Sequence, residues 1–80
     1  MNAAIDDAIY ALEMEGFDVY DYGNTLQVTM RDTTRGGSGA GYNMRVTREL
    51  IFLVDEIVNE HVLAGVYDSK TPGVIVVEIQ

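Results

Sequence analysis

The sequence predicts a small α+β domain, a two-layer sandwich with the element order α-β-β-β-α-β. A twisted, mainly antiparallel sheet is expected to carry both helices on one face. Two patterns indicate this class: two segments have apolar residues at helical spacing, and several shorter ones alternate apolar with polar residues. The 80 residues form a single predicted domain (1–80), and the 48% hydrophobic and 22% charged residues are typical of a globular chain.

The first helix is predicted over residues 3–15. Its apolar residues recur three and four positions apart and are Ile5, Ala8, Ile9 and Leu12. Asn2 is expected to cap the start, because its side chain can accept from the first free amides. Gly16 is expected to end the helix, because glycine adopts the left-handed conformation that follows a last helical turn.

A hairpin with a Gly23-Asn24 loop is predicted next. The expected pairs are Val19 with Val28 and Phe17 with Met30 on an apolar face, and Tyr20 with Gln27 and Asp18 with Thr29 on a polar face. A third strand is predicted at residues 42–47, pairing with the second so that Leu26 lies beside Val46. The glycine-rich residues 32–40 then form a hairpin loop, which we expect to be mobile.

The second helix is predicted over residues 48–64, capped by Thr47 and ended by Gly65. Its apolar stripe consists of Leu50, Leu53, Val54, Ile57, Val58, His61 and Ala64. Phe52 and Leu63 fall instead on the acidic side of the helix, beside Glu56. The last strand, residues 74–79, is nearly all apolar and requires cover on both faces or neighbours on both edges. A short additional strand at Val66 and Tyr67 is an alternative that the pattern allows.

No motif for chemistry stands out in the sequence. The chain has no cysteine and therefore no thiolate metal site. Its single histidine, His61, is predicted to be a partly buried residue of the apolar stripe of the second helix, in preference to a catalytic base or a partner contact. Gly36 and Gly41 have the spacing of a phosphate-binding loop, but Tyr42 and Asn43 stand where such a loop has its lysine and hydroxyl. We therefore expect a non-enzymatic protein with no cofactor and no metal.

The net charge is −8, from 13 acidic and five basic residues. Residues 1–30 contribute −6, residues 31–48 contribute +3 through Arg31, Arg35, Arg45 and Arg48 against Asp32, and residues 49–80 contribute −5, which sums to −8. Such a field repels nucleic acid and anionic membranes, so neither is an expected partner. No secretion signal or membrane span is evident, and we expect a cytoplasmic protein, in a host cell if a phage encodes it.

Tyrosines among carboxylates are typical of a surface that docks on a basic protein, because aromatic side chains anchor and charge orients. The candidate partner-binding residues are Asp6, Asp7, Tyr10, Asp18, Tyr20, Asp21, Tyr22, Phe52, Glu56 and Leu63. The expected partner is a nucleic-acid-binding protein or complex with a basic surface. In size, acidity and lack of catalytic motifs, the chain resembles in general character the inhibitors that phages direct at CRISPR and restriction systems.

An alternative belongs to another class of function, a structural or assembly protein. In this hypothesis the apolar C-terminal strand and a patch of Phe52 and Leu63 on the second helix join copies of the chain into a homo-oligomer.

Overall fold

The computed structural model describes residues 3–30 and 45–80. The elements in these ranges are helix α1 (Ala3–Met14), strands β1 (Asp18–Asp21) and β2 (Thr25–Thr29), helix α2 (Arg48–Asn59), and strands β3 (Ala64–Asp68) and β4 (Ile75–Ile79). The four strands form one antiparallel sheet in the order β1-β2-β4-β3. The predicted α+β class is confirmed.

Both helices pack on the same face of the sheet. Along each strand, residues that face the helices alternate with residues that do not. Four of the helix-facing residues lie in the two central strands, β2 and β4, and have no exposed surface: Leu26, Val28, Ile75 and Val77. Leu12 of α1 and Val54 and Val58 of α2 complete this layer and are equally buried. The core is therefore a single apolar layer between the helices and the sheet.

The end of α1 follows from Gly16, as predicted. Its φ of 99° places it in the left-handed region. The Phe17 amide donates to the Leu12 carbonyl at 3.1 Å and the Gly16 amide to the Glu13 carbonyl at 3.0 Å, which satisfies two carbonyls that the helix leaves free. Phe17 and Leu12 both enter the core, so this turn also fixes where β1 begins. The proposed cap at Asn2 lies outside the described residues.

The hairpin register is confirmed. Val19 lies opposite Val28 and Tyr20 opposite Gln27, and the Tyr22 amide donates to the Thr25 carbonyl at 2.9 Å. Gly23 has a φ of 91°, and its amide donates to the Asp21 carboxylate at 2.8 Å. Asp21 therefore stabilises the turn through its side chain.

The predicted third strand does not pair with β2. Leu26 lies between Asp21 of β1 and Val77 of β4, so β2 has no free edge for Val46. Residues 45–47 are not in a strand, and Val46 is half-buried against the core just before α2. Residues 42–44 and the predicted 32–40 loop lie outside the described residues. The apolar β4 occupies the edge instead, because it requires a neighbour on each side.

Helix α2 begins as predicted and ends earlier. The Thr47 hydroxyl accepts from the Leu50 amide at 3.2 Å and caps the first turn. The predicted extension to Ala64 is wrong, because the Asn59 side chain binds the Ala64 backbone in both directions, accepting from its N–H and donating to its carbonyl, each at 3.1 Å. Ala64 and Gly65 are thereby the first residues of β3.

The described part of the chain consists of two units with the same element order, a helix followed by a β-hairpin. The first is α1-β1-β2 and the second is α2-β3-β4. The sheet order reads the same from either edge when the units are exchanged, and β2 pairs with β4 at the centre. The sequence carries no matching repeat, so this symmetry is visible only in the structure.

We expect Val54→Asp to unfold the domain. Val54 has no exposed surface, and an unpaired carboxylate in a thin core should cost about 4 kcal/mol or more. Phe52→Asp is the control on the same helix, since Phe52 is 63% exposed and its replacement should leave the fold intact. Circular dichroism melts of both variants would test this, and a cooperative wild-type melt of Val54→Asp would contradict it.

Asn59→Ala should destabilise the protein by about 1–3 kcal/mol, because it leaves the part-buried Ala64 backbone groups without partners. Urea unfolding measures this loss. The matched control is Glu60→Ala at the next, exposed position, which should change the stability by about 0.5 kcal/mol or less. Equal effects of the two substitutions would show that Asn59 does not fix the junction.

Candidate functional site

The face of the sheet turned away from the helices is the candidate site, and we call it the outer sheet face. Its residues come from all four strands and their ends: Asp18, Tyr20, Tyr22, Thr25, Gln27, Thr29, Gly65, Tyr67, Val74, Val76 and Glu78. Both described helices pack on the opposite face. Neither described helix therefore covers the outer sheet face, which leaves it open to a partner.

Tyrosines lie at both edges of this face, in the outer strands β1 and β3. Tyr20 of β1, Gln27 of β2, Val76 of β4 and Tyr67 of β3 form one cross-strand row. At the usual strand separation of about 4.8 Å, the row is about 14 Å wide. Tyr20 is 37% exposed and Tyr67 is 46% exposed, although each is a large aromatic residue. Tyr22, two positions after Tyr20, is 64% exposed.

A cavity of about 120 Å³ lies on the β1 side of this face. It is lined by Tyr20, Tyr22, Gln27, Thr29 and Val74. By the same kind of volume, a single water needs roughly 10–15 Å³, so the cavity is large enough for the end of a side chain. Thr29 is almost fully buried in its floor, and its hydroxyl donates to the Gly73 carbonyl at 2.8 Å.

The charge of the outer sheet face is negative. Asp18 is half-buried, Glu78 is exposed, and the four described strands contain no lysine or arginine. The Tyr67 hydroxyl donates to a Glu78 carboxylate oxygen at 3.5 Å. Carboxylates and tyrosine hydroxyls therefore surround a patch that can accept donors from a cationic partner.

The structure brings together only some of the predicted site residues. Asp18, Tyr20 and Tyr22 lie on the outer sheet face, whereas Asp21 points to the other side of β1 and binds the hairpin turn. Asp6, Asp7 and Tyr10 are exposed on α1, which packs on the opposite face of the sheet. One flat partner surface cannot contact both groups at once.

The predicted patch on the second helix is also divided. Phe52 and Glu56 are exposed on α2, but Leu63 lies after the helix has ended, in the connection to β3. Leu63 is 70% exposed. His61 lies in the same connection and is exposed, so its placement in the apolar stripe of the helix was wrong. Leu53, predicted in that stripe, is 37% exposed.

The basic residues do not converge on the outer sheet face. Arg31 and Arg35 lie outside the described residues, and Arg48 is exposed at the start of α2. Arg45 and Lys70 line a separate open cavity of about 380 Å³, together with Val46, Asp68, Ser69, Pro72 and Gly73. Because Asp68 shares that cavity, it is not a uniformly cationic site.

Sequence reasoning missed Tyr67, Glu78 and the lining residues Gln27, Thr29 and Val74. The alternation in residues 64–68 and 75–79 was the available signal. That alternation places Tyr67 and Glu78 on one face only if the two segments pair with each other. The prediction extended the second helix to Ala64 and did not pair these segments.

Comparison with protein-family models, with curated proteins and with solved structures finds no match to this chain. Among residues 3–30 and 45–80, no three histidine or acidic side chains are grouped to hold a metal ion, and neither helix in these ranges is long and apolar enough to cross a bilayer.

We expect Thr29→Val to destabilise the protein by about 1–2 kcal/mol. Valine has nearly the same shape as threonine but leaves the buried Gly73 carbonyl without its donor. Thr25→Val, on the same strand and face but only half-buried, is the matched control and should change the stability little. Thermal unfolding of the two variants gives the comparison, and equal melting temperatures would exclude a structural role for this hydrogen bond.

Proposed function

We propose that the protein is a non-catalytic binding protein that docks on the basic surface of another protein through its outer sheet face. The observation that carries the proposal is the combination on one open face of Tyr20, Tyr22 and Tyr67 with the carboxylates of Asp18 and Glu78. Tyrosine supplies a large contact area at low entropic cost, and its hydroxyl tolerates the wet rim of an interface.

A protein that binds DNA or RNA is the partner we propose, because such proteins display extended basic grooves. An acidic domain bound in that groove would exclude the nucleic acid. The chain would then act as an inhibitor or modulator of its partner. The net charge of −8 favours this pairing, since it also disfavours direct contact of this chain with nucleic acid.

The two acidic surfaces have different roles in this proposal. The outer sheet face makes the contact, and its tyrosines determine the dissociation rate. The carboxylates of α1, Asp6 and Asp7, remain outside the contact and add to the long-range field, which raises the association rate at low salt.

Paired variants test the proposal. Tyr22→Ala and Tyr10→Ala remove tyrosines of equal exposure, 64% and 65%, from opposite sides of the protein. Glu78→Lys and Asp7→Lys each change the net charge from −8 to −6, one on each side. Because the net charge changes equally, a faster dissociation of Glu78→Lys than of Asp7→Lys reports contact at the outer sheet face.

The measurement is affinity capture from a lysate at low and high salt, followed by binding kinetics on the captured protein. Tyr22→Ala should raise the dissociation rate about tenfold or more, whereas Tyr10→Ala should not. Glu78→Lys should bind more weakly than Asp7→Lys. An acidic captured protein, or equal effects within each pair, would refute the proposal.

Self-association is the second candidate, and the exposure of Phe52 and Leu63, 63% and 70%, favours it. The version in which β4 offers a free edge is excluded, because β2 and β3 pair with both of its edges. The remaining version uses the exposed apolar residues near α2. Sedimentation of the wild type and Phe52→Asp at several salt concentrations distinguishes the candidates: a salt-insensitive oligomer that Phe52→Asp dissociates supports self-association.

A further inference from the structure

We propose that the cavity beside Tyr20 and Tyr22 receives an arginine side chain of the partner protein, with the guanidinium group stacked on a tyrosine ring. This inference rests on the proposed function and names the chemical group that the outer sheet face recognises. It is carried by the aromatic residues that line the cavity, by the acceptors in its lining and by the charge of the surrounding strands.

One of the two tyrosines that line the cavity lies in β1 and the other directly after it. Tyr20 and Tyr22 are two positions apart, and the Tyr22 amide continues the hairpin pairing to Thr25, so both side chains project to the outer side, about 6.6 Å from each other along the chain. Both line the cavity of about 120 Å³, and Val74 is a further apolar residue of the lining. A flat cationic group entering here meets aromatic surface, to which a cation is attracted.

The polar lining offers acceptors. The Thr29 hydroxyl already donates its proton to the Gly73 carbonyl, so its oxygen has only lone pairs left for a ligand. Gln27, exposed in the middle of the tyrosine row, adds a carboxamide oxygen. At Thr29 the lining therefore favours a group that donates hydrogen bonds over an anion, and the Gln27 carboxamide can present its oxygen to the same group.

The charge around the cavity favours the same group. Asp18 lies opposite Thr29 on the neighbouring strand, and Glu78 lies opposite Thr25 on the other. The four described strands carry these carboxylates and contain no lysine or arginine. A guanidinium ion bound between them would be attracted from both sides.

Arginine is preferred over lysine for a physical reason. Its guanidinium group is planar, carries five donors and is weakly hydrated, so it stacks on a tyrosine ring while its edge reaches acceptors. The lysine ammonium group is compact and strongly hydrated, and it would have to lose that hydration shell to enter the same cavity. The site should therefore distinguish two side chains of equal charge.

The experiment uses the full chain labelled with ¹⁵N and two synthetic octapeptides, one of alternating arginine and glycine and one of alternating lysine and glycine. Each is titrated while amide chemical shifts are recorded. The arginine peptide should bind more tightly than the lysine peptide and should shift the side-chain amide of Gln27 and the backbone amides of Tyr20 and Tyr22. The difference should persist at high salt, because stacking is screened less than charge attraction.

Matched variants assign the effect to the rings. Tyr22→Leu should weaken binding of the arginine peptide about two- to fivefold, the usual effect of one cation–π contact at an exposed site. Tyr22→Phe keeps the ring and should retain the affinity. Tyr10→Leu removes a tyrosine of the same exposure from α1 and should leave the affinity unchanged.

Four results would overturn the inference: equal affinity for the two peptides, loss of affinity in Tyr10→Leu equal to that in Tyr22→Leu, tighter binding of an oligothymidine to the same amides, or the same shifts produced without peptide by raising the protein concentration. The third would make the face a platform for nucleic-acid bases and the fourth an interface between two copies. If capture of the basic partner still depends on Tyr22 and Glu78, the proposed function survives and only the arginine assignment fails.

Discussion

The pairing of β2 with β4 joins the two halves of this protein. It places Leu26 beside Val77 and Val28 beside Ile75, four side chains with no exposed surface, at the centre of the sheet. Each half alone is a helix and a two-stranded hairpin, and an isolated hairpin is at most marginally stable in water. The central pairing converts two such units into one four-stranded sheet whose single apolar face both helices can cover.

The outer sheet face is a consequence of this arrangement. Both helices of the described ranges lie on the inner face, so no described helix covers the outer one, where burial is local and includes Thr29 and Val74. Antiparallel sheets tolerate this because their strands alternate between apolar and polar side chains. The outward positions are then free to carry Tyr20, Gln27 and Tyr67, which contribute little to the core.

In the docking that we propose, the same arrangement separates the charges of α1 from the contact surface. The acidic residues of α1 lie on the helix side, and the tyrosines of β1 and β3 lie on the sheet side. A surface field acts over about a Debye length, close to 10 Å at moderate salt, so the helix-side charges can guide a basic partner without touching it. Contact requires desolvated aromatic surface, which in the described residues of the sheet is grouped around Tyr20, Tyr22 and Tyr67.

The sequence by itself determined what depends on neighbours in the chain. The period of α1, its end at Gly16, the Thr47 cap and the register of the β1–β2 hairpin follow from local spacing and turn chemistry, and all are present in the structure. The same local patterns predicted the α+β class, and they identified Asp18, Tyr20 and Tyr22 as candidates. In the hairpin, their common face could be inferred before the rest of the sheet was known.

Only the tertiary structure decided which strand lies next to β2, where α2 ends and which candidates share a surface. Residues 42–47 and β4 were both candidates to pair with the second edge of β2. The strand that pairs there is β4, because burying its apolar residues requires neighbours on both sides. Helix α2 ends where the chain turns into β3, and at this junction Asn59 bonds to the backbone of Ala64, whereas the apolar period alone continues past it. The separation of Tyr10 from Tyr22 has the same origin, since the side of the sheet on which a helix packs is fixed by long-range burial.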